Sequence, residues 1–327
     1  MDNLHRSSAA RGAESRSIAA ECPDRLASLF AILSLFAFMS AATVFAGLLF
    51  PVTAWAQDGK AAGAPQRVVS IDGSITEIIY QLGAQDRLVA VDTTSRFPQA
   101  ATELPDVGYM RQLSAEGILS MQPDLVITTE AAGPEMVFIQ LKQAGIRVVR
   151  VANHYSLQGV LDKITAVAGA LGKESEGQAL VERIHQRSQA LLQQMPADDA
   201  SSVMFLLGAG SRGIMASGSG TQADAMLALV GASNAMGYSG YKPVSAEGAL
   251  QAAPDVVLVA QLDDEVPESL QQSLAMTPAS QQGRIHTVDV SLMLGFGPRL
   301  PDAIQQLQAI LYPQTNEPVS KPRATGM

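Results

Sequence analysis

The stretch Gly108-Tyr109-Met110-Arg111-Gln112-Leu113-Ser114-Ala115-Glu116-Gly117, running on to Gln122-Pro123-Asp124-Leu125-Val126-Ile127, decides the fold, because the chain contains it twice. The second copy reads Gly240-Tyr241-Lys242-Pro243-Val244-Ser245-Ala246-Glu247-Gly248, then Ala253-Pro254-Asp255-Val256-Val257-Leu258. One gap aligns the two. Two copies are too few for a solenoid, in which three or more units stack into a common core. They imply two similar lobes, each with a Gly-Tyr loop and a Ser-Ala-Glu turn at matching positions. If the lobes face one another, both tyrosines line the cleft between them.

Around the first copy, strand and helix patterns alternate. Arg67 to Ile71 reads as a strand, and Ser74-Ile75-Thr76-Glu77 as a capping box opening a helix through Leu82, with Gly83 as its stop. Further strands are expected at Leu88–Val91, Leu125–Thr128 and Arg147–Val151, with a helix from Pro134 to Leu141. Apolar residues then recur at helical spacing from Leu157 to Leu171, pause at Gly172, and resume from Glu174 to Gln194. A helix of some 20 residues spans about 30 Å and suits a rigid spine. Around the second copy, strands are expected at Val203–Leu207, Val256–Ala260 and Ile285–Val288. Helices are expected at Thr221–Val230, Pro267–Leu274 and Asp302–Leu311, with a glycine-rich loop from Gly208 to Gly220. The pattern predicts an α/β fold of two Rossmann-like lobes with mostly parallel sheets, joined by a single long helix. The expected boundaries are 67–173 for the N-terminal lobe, 174–195 for the linking helix and 196–312 for the C-terminal lobe, with 313–327 as a tail.

The N-terminus reads as a targeting segment. Arg6, Arg11, Arg16 and Arg25 precede an apolar run from Leu26 to Phe50, and Ala54-Trp55-Ala56 forms a small-x-small cleavage site. Residues 1–56 are therefore expected to be a signal peptide and 57–66 a leader. The run is also long enough to remain as an anchor. Either way the rest of the chain is exported. Cys22, the only cysteine, precedes the apolar run, where it cannot serve as a lipoprotein cysteine. Downstream of it the chain has no disulfide and no thiolate site. A net charge of −9 argues against nucleic acid or anionic lipid as the main partner.

Catalytic readings find little support. Gly208-Ala209-Gly210-Ser211-Arg212-Gly213 has the G-x-G-x-x-G spacing, yet more glycines follow where a dinucleotide site needs a helix. No G-x-S-x-G elbow supports Ser211 as the nucleophile of an exported hydrolase. His154, His185 and His286 lack metal-ligand spacing, and Asp263-Asp264-Glu265 reads as a solvated loop. His154 alone, beside Tyr155 after a strand, could reach a cleft. Tyr109 and Tyr241 carry more weight. Each follows a glycine and has a cation close behind it, Arg111 and Lys242. The plain reading is a packed loop tyrosine. The chemical one is a phenolate able to ligate ferric haem iron, stabilised by a nearby cation. Arg299, in Gly295-Phe296-Gly297-Pro298-Arg299, either donates to a ligand or caps a carbonyl. Glu116 and Glu247 are either solvated first-turn acids, which the helix dipole favours, or a matched pair of docking charges.

These residues resemble the periplasmic haem-binding proteins of haem ABC importers. The resemblance runs from Arg67 to Leu311 and rests on Gly73-Ser74-Ile75-Thr76-Glu77-Ile78-Ile79-Tyr80, Val91-Asp92-Thr93-Thr94-Ser95, Leu104-Pro105-Asp106-Val107-Gly108-Tyr109, Leu113-Ser114-Ala115-Glu116-Gly117 and Gly295-Phe296-Gly297-Pro298-Arg299. It implies a non-enzymatic, monomeric receptor that carries haem b in the inter-lobe cleft. Tyr109 would be the axial ligand, with Arg111, Tyr241, Lys242 and Arg299 around the pocket. His154 is the one histidine to consider as a second ligand, and a five-coordinate site with Tyr109 alone is the first choice. Glu116 and Glu247 would dock on arginines of a membrane permease that works with an ATPase. A same-fold receptor for a ferric siderophore or cobalamin is the rival reading.

Overall fold

A computed structural model describes residues 64–196, 201–208, 214–261 and 268–313. The targeting segment, Ser211 and the acidic run at Asp263-Asp264-Glu265 lie outside these residues. The first lobe comprises β1 (Val68–Ser70), α1 (Gly73–Gln81), β2 (Leu88–Val91), α2 (Ala115–Ser120), β3 (Leu125–Thr129), α3 (Glu135–Gln143) and β4 (Arg147–Val151). Its strands are all parallel, in the order β2-β1-β3-β4. The inner strands β1 and β3 are buried along their whole length because both faces of the sheet are covered, whereas the edge strand β4 carries exposed Arg147 and half-buried Arg150. Alternate side chains serve opposite faces. Val68, Leu125 and Ile127 pack with Ile75, Ile78 and Ile79 of α1. Val69 and Val126 pack with Ile118 of α2 and Val137, Phe138 and Leu141 of α3.

Two helices follow, α4 (Leu157–Leu171) and α5 (Glu174–Leu192), separated by Gly172, which caps α4 in the left-handed conformation at φ 67°. The second lobe comprises β5 (Ser202–Gly208), β6 (Ile214–Ser217), α6 (Gln222–Leu229), β7 (Ser233–Asn234), β8 (Tyr241–Pro243), α7 (Ala246–Ala252), β9 (Val256–Gln261), α8 (Glu268–Leu274), α9 (Pro278–Gln281), β10 (Ile285–Asp289), α10 (Val290–Leu294) and α11 (Leu300–Leu311). Its sheet runs β10-β9-β5-β6-β8, with β7 beside the start of β5. Here β10, β9 and β5 are parallel, whereas β6 and β8 are antiparallel. This sheet is therefore mixed.

The duplicated motif has structural equivalents at its glycine, its serine cap and its aspartate. Gly108 and Gly240 both take positive φ, 96° and 77°, which a side chain would strain. Ser114 and Ser245 cap α2 and α7 by accepting from the N–H of Gly117 and Gly248. Asp124 and Asp255 then clamp the neighbouring strands: Asp124 accepts from the N–H groups of Gln66 and Arg67, and Asp255 from that of Ser202. The copies therefore lay down β1 with β3 in one lobe and β5 with β9 in the other.

Two expectations change. Ser74 and Glu77 do not form a capping box. Asp72 caps α1 through the Ser74 N–H, and Glu77 is buried elsewhere. The Gly208–Gly220 segment is not one loop, because Ile214–Ser217 returns as β6, with Ile214 opposite Gly208. A strand that returns antiparallel to β5 cannot offer phosphate the helix N-terminus that a dinucleotide site requires.

One apolar cluster runs through both lobes. It joins α1 and α4 to α6, α10 and α11, and takes in Leu180 and Ile184 from the inner face of α5. The α5 helix packs one face on α4 and on α11, so the spine lies against a shared core rather than being strung between two separate ones.

Candidate functional site

In open α/β sheets, ligands bind beyond the carboxyl ends of the strands. The loops leaving β1, β2 and β4 in the first lobe meet the loop leaving β10 in the second. Lys163 donates from Nζ to the Phe296 carbonyl at 3.1 Å, Arg299 pairs with Glu77 at 2.6 Å, and the Tyr155 and Phe296 rings lie 5.4 Å apart. These contacts form the floor of the inter-lobe cleft.

Tyr109 stands on the long connection after β2. Val107 donates to the Val91 carbonyl and Thr93 to that of Gly108, extending the end of β2. The Gly108 N–H is held by Asp106 Oδ1 at 2.7 Å. Gln112 donates back to the Tyr109 carbonyl, and Met110 and Leu113 are tied to Gly133 beyond β3. Met110 and Leu113 are buried, so the turn is anchored while Tyr109 stays 43% exposed. Arg111 is exposed on the same turn.

Tyr241 differs from its sequence counterpart. It lies in β8 with its hydroxyl buried and without a hydrogen-bond partner. Burial pushes this phenol up from its ordinary value. Thr221, the Ala223 N–H and Ser217 lie near enough to oppose the shift, though none reaches hydrogen-bonding geometry. Tyr155, which sequence reading passed over, sits between the lobes. Burial raises it as well, Arg111 opposes that, and it is close enough to Tyr241 for the two phenolates to repel. Tyr155 thus lies within electrostatic reach of both Arg111 and Tyr241. Lys242 lies over the Tyr238 ring, 4.8 Å from its centroid. His154 is exposed at the carboxyl end of β4, where its carbonyl accepts from Ser156. Among the described residues, no three of His, Cys, Asp and Glu gather as a metal site.

Arg299 is committed within the protein. One nitrogen bonds both Glu77 Oε1 at 2.6 Å and Ser291 Oγ at 3.2 Å, and the guanidinium lies 3.9 Å from the Phe97 ring centroid. Burial nevertheless lifts the Glu77 carboxyl above its ordinary range, against the pull of Arg299. Beside it is a network that sequence reading did not single out. Asp72 holds φ 103°, a costly conformation for a residue with a side chain, fixed by its N–H on Asp92 Oδ1. Asp92 also accepts from Thr94 and Ser95, while burial raises its carboxyl. Lys163, 1% exposed, donates to Ser74, to Asn153 and across to Phe296. Two of the stretches that carry the family resemblance, 73–80 and 91–95, supply most of this network. The sequence clue was present, but it marked a buried scaffold rather than ligand contacts.

Glu116 and Glu247 occupy the second position of α2 and α7, both exposed. The repeat therefore presents one free first-turn carboxylate on each lobe.

This fold and this cleft define a class. Residues 68–292 match the family model described as "Periplasmic binding protein", and the chain belongs to that family, whose members bind substrates for ABC importers and are not enzymes. Among solved structures, it is 38% identical to "Periplasmic heme-binding protein BhuT in complex with two hemes", with TM-score 0.69, covering 75% of this chain and 97% of that one. A periplasmic heme binding protein from Pseudomonas aeruginosa is 35% identical, with TM-score 0.70, over 78% and 95%. Among curated relatives, the ABC transporter substrate-binding lipoprotein YvrC of Bacillus subtilis is 27% identical over 82% of this chain and 87% of its own length. A Vitamin B12-binding protein of Vibrio cholerae is 26% identical over 74% and 87%.

Proposed function

We propose that this protein is the periplasmic haem receptor of an ABC importer, delivering haem b to the permease and its ATPase. The observation that carries the reading is Tyr109, held out on a turn with buried anchors, just past the carboxyl end of β2. A phenolate there can ligate ferric iron, with Arg111 on the same turn to favour the ionised form or meet a propionate. Tyr155 and Tyr241 supply aromatic walls. Lys242 is the second candidate for a propionate, and Arg299 can reach one only by giving up Glu77. His154, solvent-exposed after β4, is the candidate for a second axial ligand. Identities of 38% and 35% to two haem-binding structures, against 26% to the Vibrio cholerae vitamin B12-binding protein over a similar share of the chain, support haem over cobalamin.

In this reading the chain enters the periplasm through residues 1–56, is cleaved after Ala56 and acts as a monomer. It docks through Glu116 and Glu247 on cationic residues of the permease. Titration with hemin is expected to give a Soret band with high-spin ferric features. Tyr109→Ala is expected to lose that spectrum and weaken binding by at least tenfold; an unchanged spectrum and affinity would remove Tyr109 as ligand. The B12-binding relative favours the rival reading, and a cobalamin titration that saturates where hemin does not would replace haem with a corrinoid.

A further inference from the structure

Lys163, in the middle of α4, is 1% exposed, and iron ligation at Tyr109 makes no use of it. A charged amine is costly to bury, and a methionine of similar length would fill the space without that cost. The surroundings are built for an ammonium, which has three hydrogens to donate. Three acceptors meet it: Ser74 Oγ at 2.9 Å, Asn153 Oδ1 at 2.8 Å and the Phe296 carbonyl at 3.1 Å. Ser74 Oγ in turn donates to Asp72 Oδ1 at 2.6 Å, so the hydroxyl relays the ammonium to a carboxylate. Burial pulls the amine below its ordinary pKa, and Asp72 and Glu77 oppose that pull.

The three acceptors belong to three separate segments: the start of α1, the loop leaving β4, and the loop between α10 and α11 in the second lobe. Two of these segments converge on Tyr155. Asn153 lies two residues before it. Phe296 is buried at φ 44°, an unfavourable backbone conformation for a residue with a side chain, and its ring is 5.4 Å from that of Tyr155. Just beyond Tyr155, Ser156 caps α4 by accepting from the Gly159 N–H. A Cβ at Gly159 would overlap the His154 carbonyl, so the turn lies directly on the helix. Gly159 and Lys163 are four residues apart and share a face of α4. That face therefore carries the Tyr155 turn, and Lys163 ties the turn to the second lobe.

We propose that Lys163 is a positioning residue for the ligand cleft. Its ammonium sets the register of the first lobe on the Phe296 loop and so fixes Tyr155 as a wall against which a flat macrocycle is held. Lys163 touches no ligand and acts through Tyr155. This rests on the reading of the cleft as the macrocycle site, and it is independent of Tyr109 as the iron ligand.

The test is a double-variant cycle of Lys163→Met, Tyr155→Ala and the two together, read as hemin affinity without denaturant. Each single variant is expected to weaken binding roughly tenfold while keeping the high-spin ferric spectrum. The double variant is expected to bind within about twofold of the weaker single one, because the two residues act as a unit. Losses that multiply overturn the inference. So does a Lys163→Met chain with unchanged hemin affinity and only a lower urea midpoint, the result a purely structural lysine would give. Should Lys163→Met fail to fold, Asn153→Ala takes its place under the same criterion. It removes only the bond to the Tyr155 loop, with an expected loss of about threefold. Failure of the haem reading has a different signature. A spectrum that survives Tyr109→Ala removes the iron ligand and leaves the cycle to decide Lys163. A chain that binds cobalamin and not hemin replaces haem, and the same cycle run with cobalamin supports or overturns the inference.

Discussion

At the scale of single residues, the repeat places two tyrosines at equivalent positions and the tertiary environment sets them apart. Tyr109 is exposed on an anchored turn, whereas the Tyr241 hydroxyl is buried against the first turn of α6. The residue with the clearest energetic role is Arg299, through its buried pair with Glu77. Removing one partner of such a pair strands a charge, so Arg299→Ala is expected to cost about 3 kcal/mol at neutral pH. The deficit has a definite pH dependence. Glu77 titrates above its ordinary 4.5 in the folded protein, so the fold takes up a proton there before the unfolded chain does. Stability linked to Glu77 therefore falls as pH rises through that window, and losing Arg299 lifts the folded value further. Urea denaturation should show the deficit of Arg299→Ala shrinking as pH is lowered toward 4.5 and Glu77 becomes neutral. A deficit independent of pH would mean that packing on Phe97, rather than charge, is what Arg299 supplies.

At the scale of elements, apolar runs and helical periodicity are legible wherever local pattern and burial agree. β2 and β4 fall at their expected residues, and α4 ends at the expected glycine. The strands β6 and β8 are not legible. They are four and three residues long, contain Ser217 and Pro243, and exist because they pair with β5 and with each other. Close packing at an element end is equally invisible in a linear pattern. At Gly159, in the first turn of α4, a Cβ would overlap the carbonyl of His154. Gly169, on the same helix, opens onto free space. Gly159→Ala is expected to cost about 1–3 kcal/mol and to disturb Tyr155, since the backbone has to give way. Gly169→Ala should gain up to about 1 kcal/mol from helix propensity. Equal effects in urea melts would show that the close approach at Gly159 is not a constraint.

At the scale of the molecule, the shared core limits how far the lobes can move. The cluster that takes in Leu180 and Ile184 of α5 runs from the first sheet to the second, and Lys163 and Arg299 add polar ties across the cleft floor. Wide hinge opening would expose that core. Spin labels at Ser120→Cys on α2 and Gln251→Cys on α7, with Cys22 replaced by serine, would report the span between the lobes. The expected change on adding hemin is on the order of 1–2 Å, as for shifts of packed elements, and a change several times larger would show a true hinge.

The sequence by itself determined the two-lobe α/β plan, because a duplicated motif, its capping serines and its left-handed glycines are local chemistry repeated along the chain. It also determined which carboxylates stand free on each lobe, since a first-turn acid after a serine cap points to solvent in both copies. Only the tertiary structure decided the fates of the repeated tyrosines, the commitment of Arg299 to Glu77 and the buried network around Asp72 and Lys163. Each of these depends on which charges and hydroxyls lose their water together, and that is set by contacts between residues far apart in the chain.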